Sequence, residues 1–186
     1  MNHRIILDLC GGTGSWSKPY VDAGYDVRLV TLPERDVRLY QPPENVHGVL
    51  AAPPCDHFAR AGARWWKAKG HAALLDGLSV VDACLRIIHR AAPSWWALEN
   101  PVGRLKDYLG DPAYKFDPWY FGDPWTKRTW LWGAFTPPQK TPNAVKPTLT
   151  GEPRKRDRTT KMSSSWKVQR SRTPAGFSRA FFEANP

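Results

Sequence analysis

Three short stretches of the sequence gather residues able to do chemistry. "DLCGGTGSW" (residues 8–16) places Asp8 and Cys10 ahead of a glycine-rich turn. "PPCDHF" (53–58) sets Cys55 directly behind two prolines, and "ALENPVG" (97–103) ends an apolar run on Glu99 and Asn100. A cysteine thiolate is a nucleophile suited to covalent catalysis. A carboxyl group in apolar surroundings retains its proton and can deliver it. Glycines let a backbone turn approach a ligand closely at the start of a helix. By residue type, the three stretches offer covalent attack, proton delivery and cofactor binding.

Each has a blander alternative. Pro53 and Pro54 lack an N–H and fix their own φ, so they cannot extend the apolar run Gly48–Ala52. Cys55 therefore falls on a stiff loop at the end of a strand, whereas a structural cysteine more often lies inside the run. The stretch itself leaves both readings open. An ordinary exposed carboxylate is the alternative for Glu99, but Trp95-Trp96-Ala97-Leu98 leads straight into it and favours burial. A strand that ends in Asp8 and runs into Gly11-Gly12-x-Gly14 is the pattern of a nucleotide-bearing cofactor site, although such turns also occur without ligands. The spacing is not GxGxxG, so a dinucleotide fits poorly. S-adenosylmethionine (SAM), which has no phosphate to cradle, is the alternative, its amino-acid tail lying on the tight turn.

The elements that must position these residues can be read from periodicity. Residues 4–9, 26–32, 48–52, 94–100 and 128–135 read as strands, the fourth stopped by Pro101. Residues 16–25 read as a short helix closing at Gly24. Residues 71–91 carry Leu74, Leu75, Leu78, Val81, Leu85 and Ile88 at helical spacing, and a last amphipathic helix follows Pro174 with Phe177, Ala180 and Phe181 on one side. This alternation predicts an α/β fold with a mostly parallel sheet and helices on both faces. In such a sheet the three reactive stretches emerge on one edge.

The chain has 186 residues, enough for one domain with a proper core. Its net charge of +10 and pI near 9.8 point to a polyanionic partner. "RAGARWWKAKG" (60–70) interleaves aromatic and basic residues in the manner of base stacking beside phosphate contacts, though most of the ten tryptophans are expected in the core. Three cysteines at irregular spacing make neither a disulfide framework nor a zinc site, so no metal is expected and a reducing, cytoplasmic location fits. No apolar run is long enough to cross a bilayer, and no signal peptide opens the chain. Residues 136–166, rich in Pro, Lys, Arg, Ser and Thr and including "RKRDR" at 154–158, read as a basic extended excursion.

Taken in order, the motifs resemble those of the DNA cytosine-5 methyltransferases. "DLCGGTGSW" resembles the family's SAM-binding motif, and "RDVRLY", through Asp36 and Val37, the short motif that meets the adenine. "HGVLAAPPCDHFAR" resembles the nucleophile motif, including Phe58 three residues beyond the cysteine. "WWALENPVG" resembles the Glu-Asn-Val motif with Pro101 in place of Val. "YFGDPWTKRTWLWG" is similar to the Tyr-Gly-x-Pro segment leading to a basic motif, and "RTPAGFSRAFFEA" more weakly resembles the last motif, whose helix completes the cofactor pocket. The resemblance spreads over nearly the whole chain.

It implies a Rossmann-like SAM-dependent methyltransferase that acts on C5 of cytosine in DNA. Cys55 would add to C6, Glu99 would protonate or hydrogen-bond N3, and Asn100 would help hold the pocket. Lys127 and Arg128 would contact the flipped nucleotide, because a base inside a duplex is inaccessible to this chemistry. SAM would be held by Asp8, Cys10, Gly12, Gly14, Ser15, Trp16, Asp36, Val37 and Pro53. The acidic residue expected for the ribose is missing at Thr31-Leu32, and Glu34 is the nearest substitute. The basic motif reads "WTKRTW", without the family's Gln-x-Arg-x-Arg. The implied organisation is a catalytic core over 1–135, the excursion 136–166 in place of a target-recognition domain, and a returning helix within 167–186. So short an excursion predicts relaxed or very short sequence specificity, or help from a second copy in a homodimer. The compact motif spacing fits a phage or mobile-element origin. The alternatives are the same chemistry on a free pyrimidine nucleotide or RNA, and a DNA- or SAM-binding protein without turnover.

Overall fold

The computed structural model describes residues 4–147 and 172–186. Ten regular elements follow in chain order: β1 (Ile5–Leu9), α1 (Lys18–Asp22), β2 (Asp26–Val30), β3 (Val46–Ala51), α2 (Trp66–Ala91), β4 (Trp95–Pro101), α3 (Lys106–Leu109), β5 (Tyr114–Phe116), β6 (Thr129–Ala134) and α4 (Ala175–Ala184). The strands form one sheet in the order β2-β1-β3-β4-β6-β5. The first four are parallel neighbours, while β6 runs antiparallel to both β4 and β5.

Alternation along the strands builds two cores. Leu7, Leu9, Val49, Ala51 and Leu98 face one side and pack with Val81, Cys84 and Ile87 of α2. Ile6, Leu50, Ala97 and Leu131 face the other side and pack with Tyr20 of α1 and with Phe177 and Phe181 of α4. Because both faces are covered, the parallel strands read as nearly continuous apolar runs.

The helix expected over 71–91 forms, and α2 begins five residues earlier only by spanning a break at Gly70, where φ is 75°. The helix expected over 16–25 shortens to the five residues of α1. β4 continues through Pro101, the residue expected to stop it. Pro101 pairs with Thr129 of β6 and lies beyond Leu98, the last partner of β3, so its missing N–H leaves the parallel ladder complete. The periodicity gives no warning of α3 or β5.

The C-terminal segment is pinned at several points. Trp16 packs edge-on against Phe181 at 5.4 Å and at a tilt against Phe177 at 5.8 Å. The Tyr20 hydroxyl donates to the Asn185 carbonyl at 2.8 Å, and the Asn185 side chain exchanges hydrogen bonds with both backbone groups of Thr136. Thr173 N–H donates to Ser15 Oγ at 3.0 Å, joining this segment to the glycine turn.

Of the excursion expected over 136–166, residues 136–147 carry no helix or strand, and the rest, with "RKRDR", lies outside the described residues. Among the described residues no helix is long and apolar enough to cross a membrane, and no group of three or more potential metal ligands occurs.

Candidate active site

β1, β3 and β4 are neighbours running the same way, so the segments that follow them emerge side by side at one edge. After β1 the chain makes a tight turn. Cys10, Gly12 and Gly14 take φ values of 56°, 56° and 67°, and Gly14 N–H closes the turn on the Gly11 carbonyl at 2.9 Å. Space over Gly12 is open, with no atom within 4 Å of where a Cβ would stand. At Gly11 the reverse applies, since a Cβ would lie 2.2 Å from Asp8 Oδ1. Glycine is required at Gly11 by contact and favoured at Gly12 by backbone conformation.

Asp8 is fully buried beneath this turn. Ser17 Oγ donates to its Oδ2 at 2.5 Å, while Oδ1 has no partner. Burial pushes the carboxyl up to about 6, and the Ser17 hydrogen bond opposes that shift in part.

The loop after β3 carries Cys55 and is strapped to the loop after β4. Phe58 and Ala59 N–H both donate to the Cys55 carbonyl, at 2.9 and 2.8 Å, and the fully buried Phe58 anchors this turn. Arg60 N–H donates to Val102 O, and Arg104 N–H donates to Phe58 O. Gly103 lies between them so closely that a Cβ would stand 1.9 Å from the Phe58 carbonyl oxygen. The Arg104 side chain adds a hydrogen bond to His57 O at 2.8 Å and stacks over Trp66 at 4.3 Å. Asn100, fully buried, donates from Nδ2 to Pro53 O at 2.9 Å and leaves Oδ1 without a partner.

Cys55 and Glu99 share one electrostatic environment. Burial pushes the Cys55 thiol up, the charge of Glu99 raises it further, and Lys127 opposes both. Glu99 is raised by burial, again against the pull of Lys127. A thiol and a carboxyl group thus follow β3 and end β4 at one edge, each under the opposing influence of the Lys127 charge.

The two basic residues of "WTKRTW" diverge. Lys127 acts on Cys55 and Glu99. Arg128, with 68% of its side chain exposed, instead lies 3.7 Å from Asp117.

The other residues expected against the cofactor sit as follows. Trp16 is buried in the second core. Val37 is buried in the first, and Cys10 packs against that core beside Cys84. The Asp36 carboxylate is engaged by Arg38 at 2.7 Å, which holds it below the usual carboxylate range. Glu34 is exposed and lines a hollow on the outer edge of β2 with Thr31, Arg35 and Tyr40. Gly12, Gly14 and Ser15 lie on the turn itself.

Sequence reasoning misses Ser17, Gly103 and Arg104. Gly103 closes the quoted motif and leaves a trace there; the partners of Ser17 and Arg104 lie nine and 47 positions away, and nothing local marks them.

Sequence comparison matches no protein-family profile and no curated protein. Among solved structures, the chain is similar to a prophage-encoded protein of E. coli assigned as a DNA modification methyltransferase, with 16% identity and a TM-score of 0.52. The alignment covers 70% of this chain and 46% of that one, so this chain spans under half the length of that structure. The likeness is one of fold: this chain has a Rossmann-like α/β fold shared with that methyltransferase.

Proposed function

We propose that this chain is a SAM-dependent methyltransferase that modifies C5 of cytosine in DNA. The observation that carries the reading is that the Cys55 loop is hydrogen-bonded to the end of β4 and the loop beyond it, through Asn100 and Pro53 and through Arg60 and Val102, at the sheet edge that also bears the open glycine turn. The residues of the turn fit SAM: the space over Gly12 is open, and Asp8 and Asn100 each keep a buried oxygen without a partner. When bound, SAM supplies the methyl group as an electrophilic sulfonium.

C5 of cytosine is a weak nucleophile, and a covalent bond from Cys55 Sγ to C6 makes it a better one. The thiol proton leaves, the S–C6 bond forms, and the ring electrons shift toward N3, where the proton retained by Glu99 is delivered or shared. Once C5 of the adduct has taken the methyl group, its C5 proton leaves to solvent, the N3 proton returns to Glu99 and the S–C6 bond breaks, which restores the aromatic ring and the thiolate. Glu99 and Cys55 are coupled in the useful direction, because neutralising Glu99 removes a charge that opposes the thiolate. Lys127 favours the thiolate throughout. Asn100 fixes the Pro53 carbonyl and with it the stiff approach to Cys55. In this reading residues 1–135 form the catalytic core, 136–166 replace a recognition domain, and the helix within 167–186 walls the cofactor turn.

The test is nucleoside mass spectrometry on DNA from cells that lack cytosine methylation and express wild type or Cys55→Ala. The expected result is 5-methylcytosine with wild type only. Its absence from both samples, with folded protein present, overturns C5 of cytosine in DNA as the target.

A further inference from the structure

Beside the strap that holds the Cys55 turn lies a groove of about 790 Å³. Its floor is Val102 and Gly103, and the Val102 backbone is hydrogen-bonded to Arg60 on one side and Arg128 on the other. Its walls come from the segment before α2, the loop after β4, and the β5–β6 pair. Five cations line it against two carboxylates, Asp107 and Asp117, and the latter is buried beside Arg128. Arg60, Lys106 and Lys115 are exposed. Trp66 and Trp130 also line the groove, each with a cation over its ring, Arg104 at 4.3 Å and Lys115 at 5.8 Å.

We propose that this groove binds an unpaired strand of DNA alongside the target nucleotide. Exposed cations spaced along a concave channel match a phosphate backbone, and ring faces with stacked guanidinium or ammonium groups match unstacked bases. A cavity of this size is that of a ligand pocket and admits a few nucleotides of one strand rather than a double helix. The position fits as well, because the Arg60 end of the groove is only one turn of chain beyond Cys55. The groove therefore begins where the turn that bears the thiol ends. The inference rests on reading that edge as a DNA-modifying site, and it adds that the strand around the target base is bound unpaired.

Fluorescence anisotropy with a labelled twelve-residue oligothymidylate isolates this binding from chemistry, since the probe holds no cytosine. The full chain is expected to bind it more tightly than a duplex of equal length. Lys115→Gln and Arg60→Gln are each expected to weaken binding and to flatten the slope of log K against log salt by about 0.7, the value for one fewer phosphate neutralised on a single strand. Unchanged thermal midpoints would show that both variants are folded. Cys55→Ala is expected to bind the probe like wild type, so a failed methylation assay leaves this result standing. Tighter binding of the duplex, tighter binding of oligouridylate, absence of binding at a protein concentration of about 10⁻⁴ M, or salt slopes unaltered in both variants would each overturn the proposal.

Discussion

Gly103 rests against the Phe58 carbonyl with no room for a single additional carbon, a Cβ there standing 1.9 Å from the oxygen. That approach joins the Cys55 loop to the loop that follows Glu99. Gly103→Ala forces the two loops apart, at an expected cost of about 1–3 kcal/mol of the kind seen on overpacking. Thermal unfolding measures the destabilisation, and thiol accessibility at Cys55 should rise with it. A variant with an unchanged midpoint and unchanged accessibility would show that the strap is not tight.

Glu99 and Lys127 act on Cys55 with opposite sign. Glu99→Gln is expected to speed alkylation of Cys55 by iodoacetamide at mildly alkaline pH, and Lys127→Met to slow it. Peptide mapping by mass spectrometry separates Cys55 from Cys10 and Cys84. Equal rates in all three proteins would rule out electrostatic coupling of these groups.

Asp8 gives a prediction in pH. Its folded-state value of about 6 lies above the 3.8 of an unperturbed carboxyl, so the folded protein binds this proton more tightly than the unfolded chain does. The associated stability is fully present below about 3.8 and is lost as pH rises through about 6. A shift of this size corresponds to roughly 3 kcal/mol. Asp8→Asn should therefore flatten the dependence of unfolding free energy on pH across that window, as followed by urea titration at several pH values. A profile parallel to wild type would place the ionised carboxylate in a better-satisfied site than its orphaned oxygen indicates.

Phe177 stacks on Phe116 at 4.0 Å, meets Trp16 and Phe121, and is fully buried. Phe177→Ala is expected to cost about 3–5 kcal/mol and to loosen the wall behind the glycine turn. Calorimetric titration with SAM should show weaker binding at a temperature where the variant remains folded. Unaltered SAM affinity would separate α4 from the cofactor site.

The sequence is most legible where period and punctuation agree. The run 71–91 has helical spacing and begins just past Gly70, and the strand before Pro53 is apolar and bounded by prolines. The direction of β6 is not legible, because alternation reports which face a residue takes and not which way a strand runs. β5, three residues long, is too short for a period. In the site, Cys55, Glu99 and the glycine turn stand out because prolines, tryptophans and glycines frame them. Asp36 does not reveal its fate, since Arg38 two residues on competes for its carboxylate, and spacing alone cannot weigh that ion pair against a ligand. Nor does the motif around Trp16 reveal that its ring packs against α4, an element more than 150 residues away in sequence.

That last distance governs when the site can come into being. The glycine turn leaves the ribosome well ahead of α4, and Trp16 and Ser15 find partners in residues 173–181. Until those residues emerge, one face of the sheet, with Ile6, Leu50 and Trp95, has no cover from α4. A nascent chain must therefore carry an exposed apolar face until α4 has been made. Translation that stops short of α4 leaves a sheet suited to chaperones and proteases rather than to catalysis.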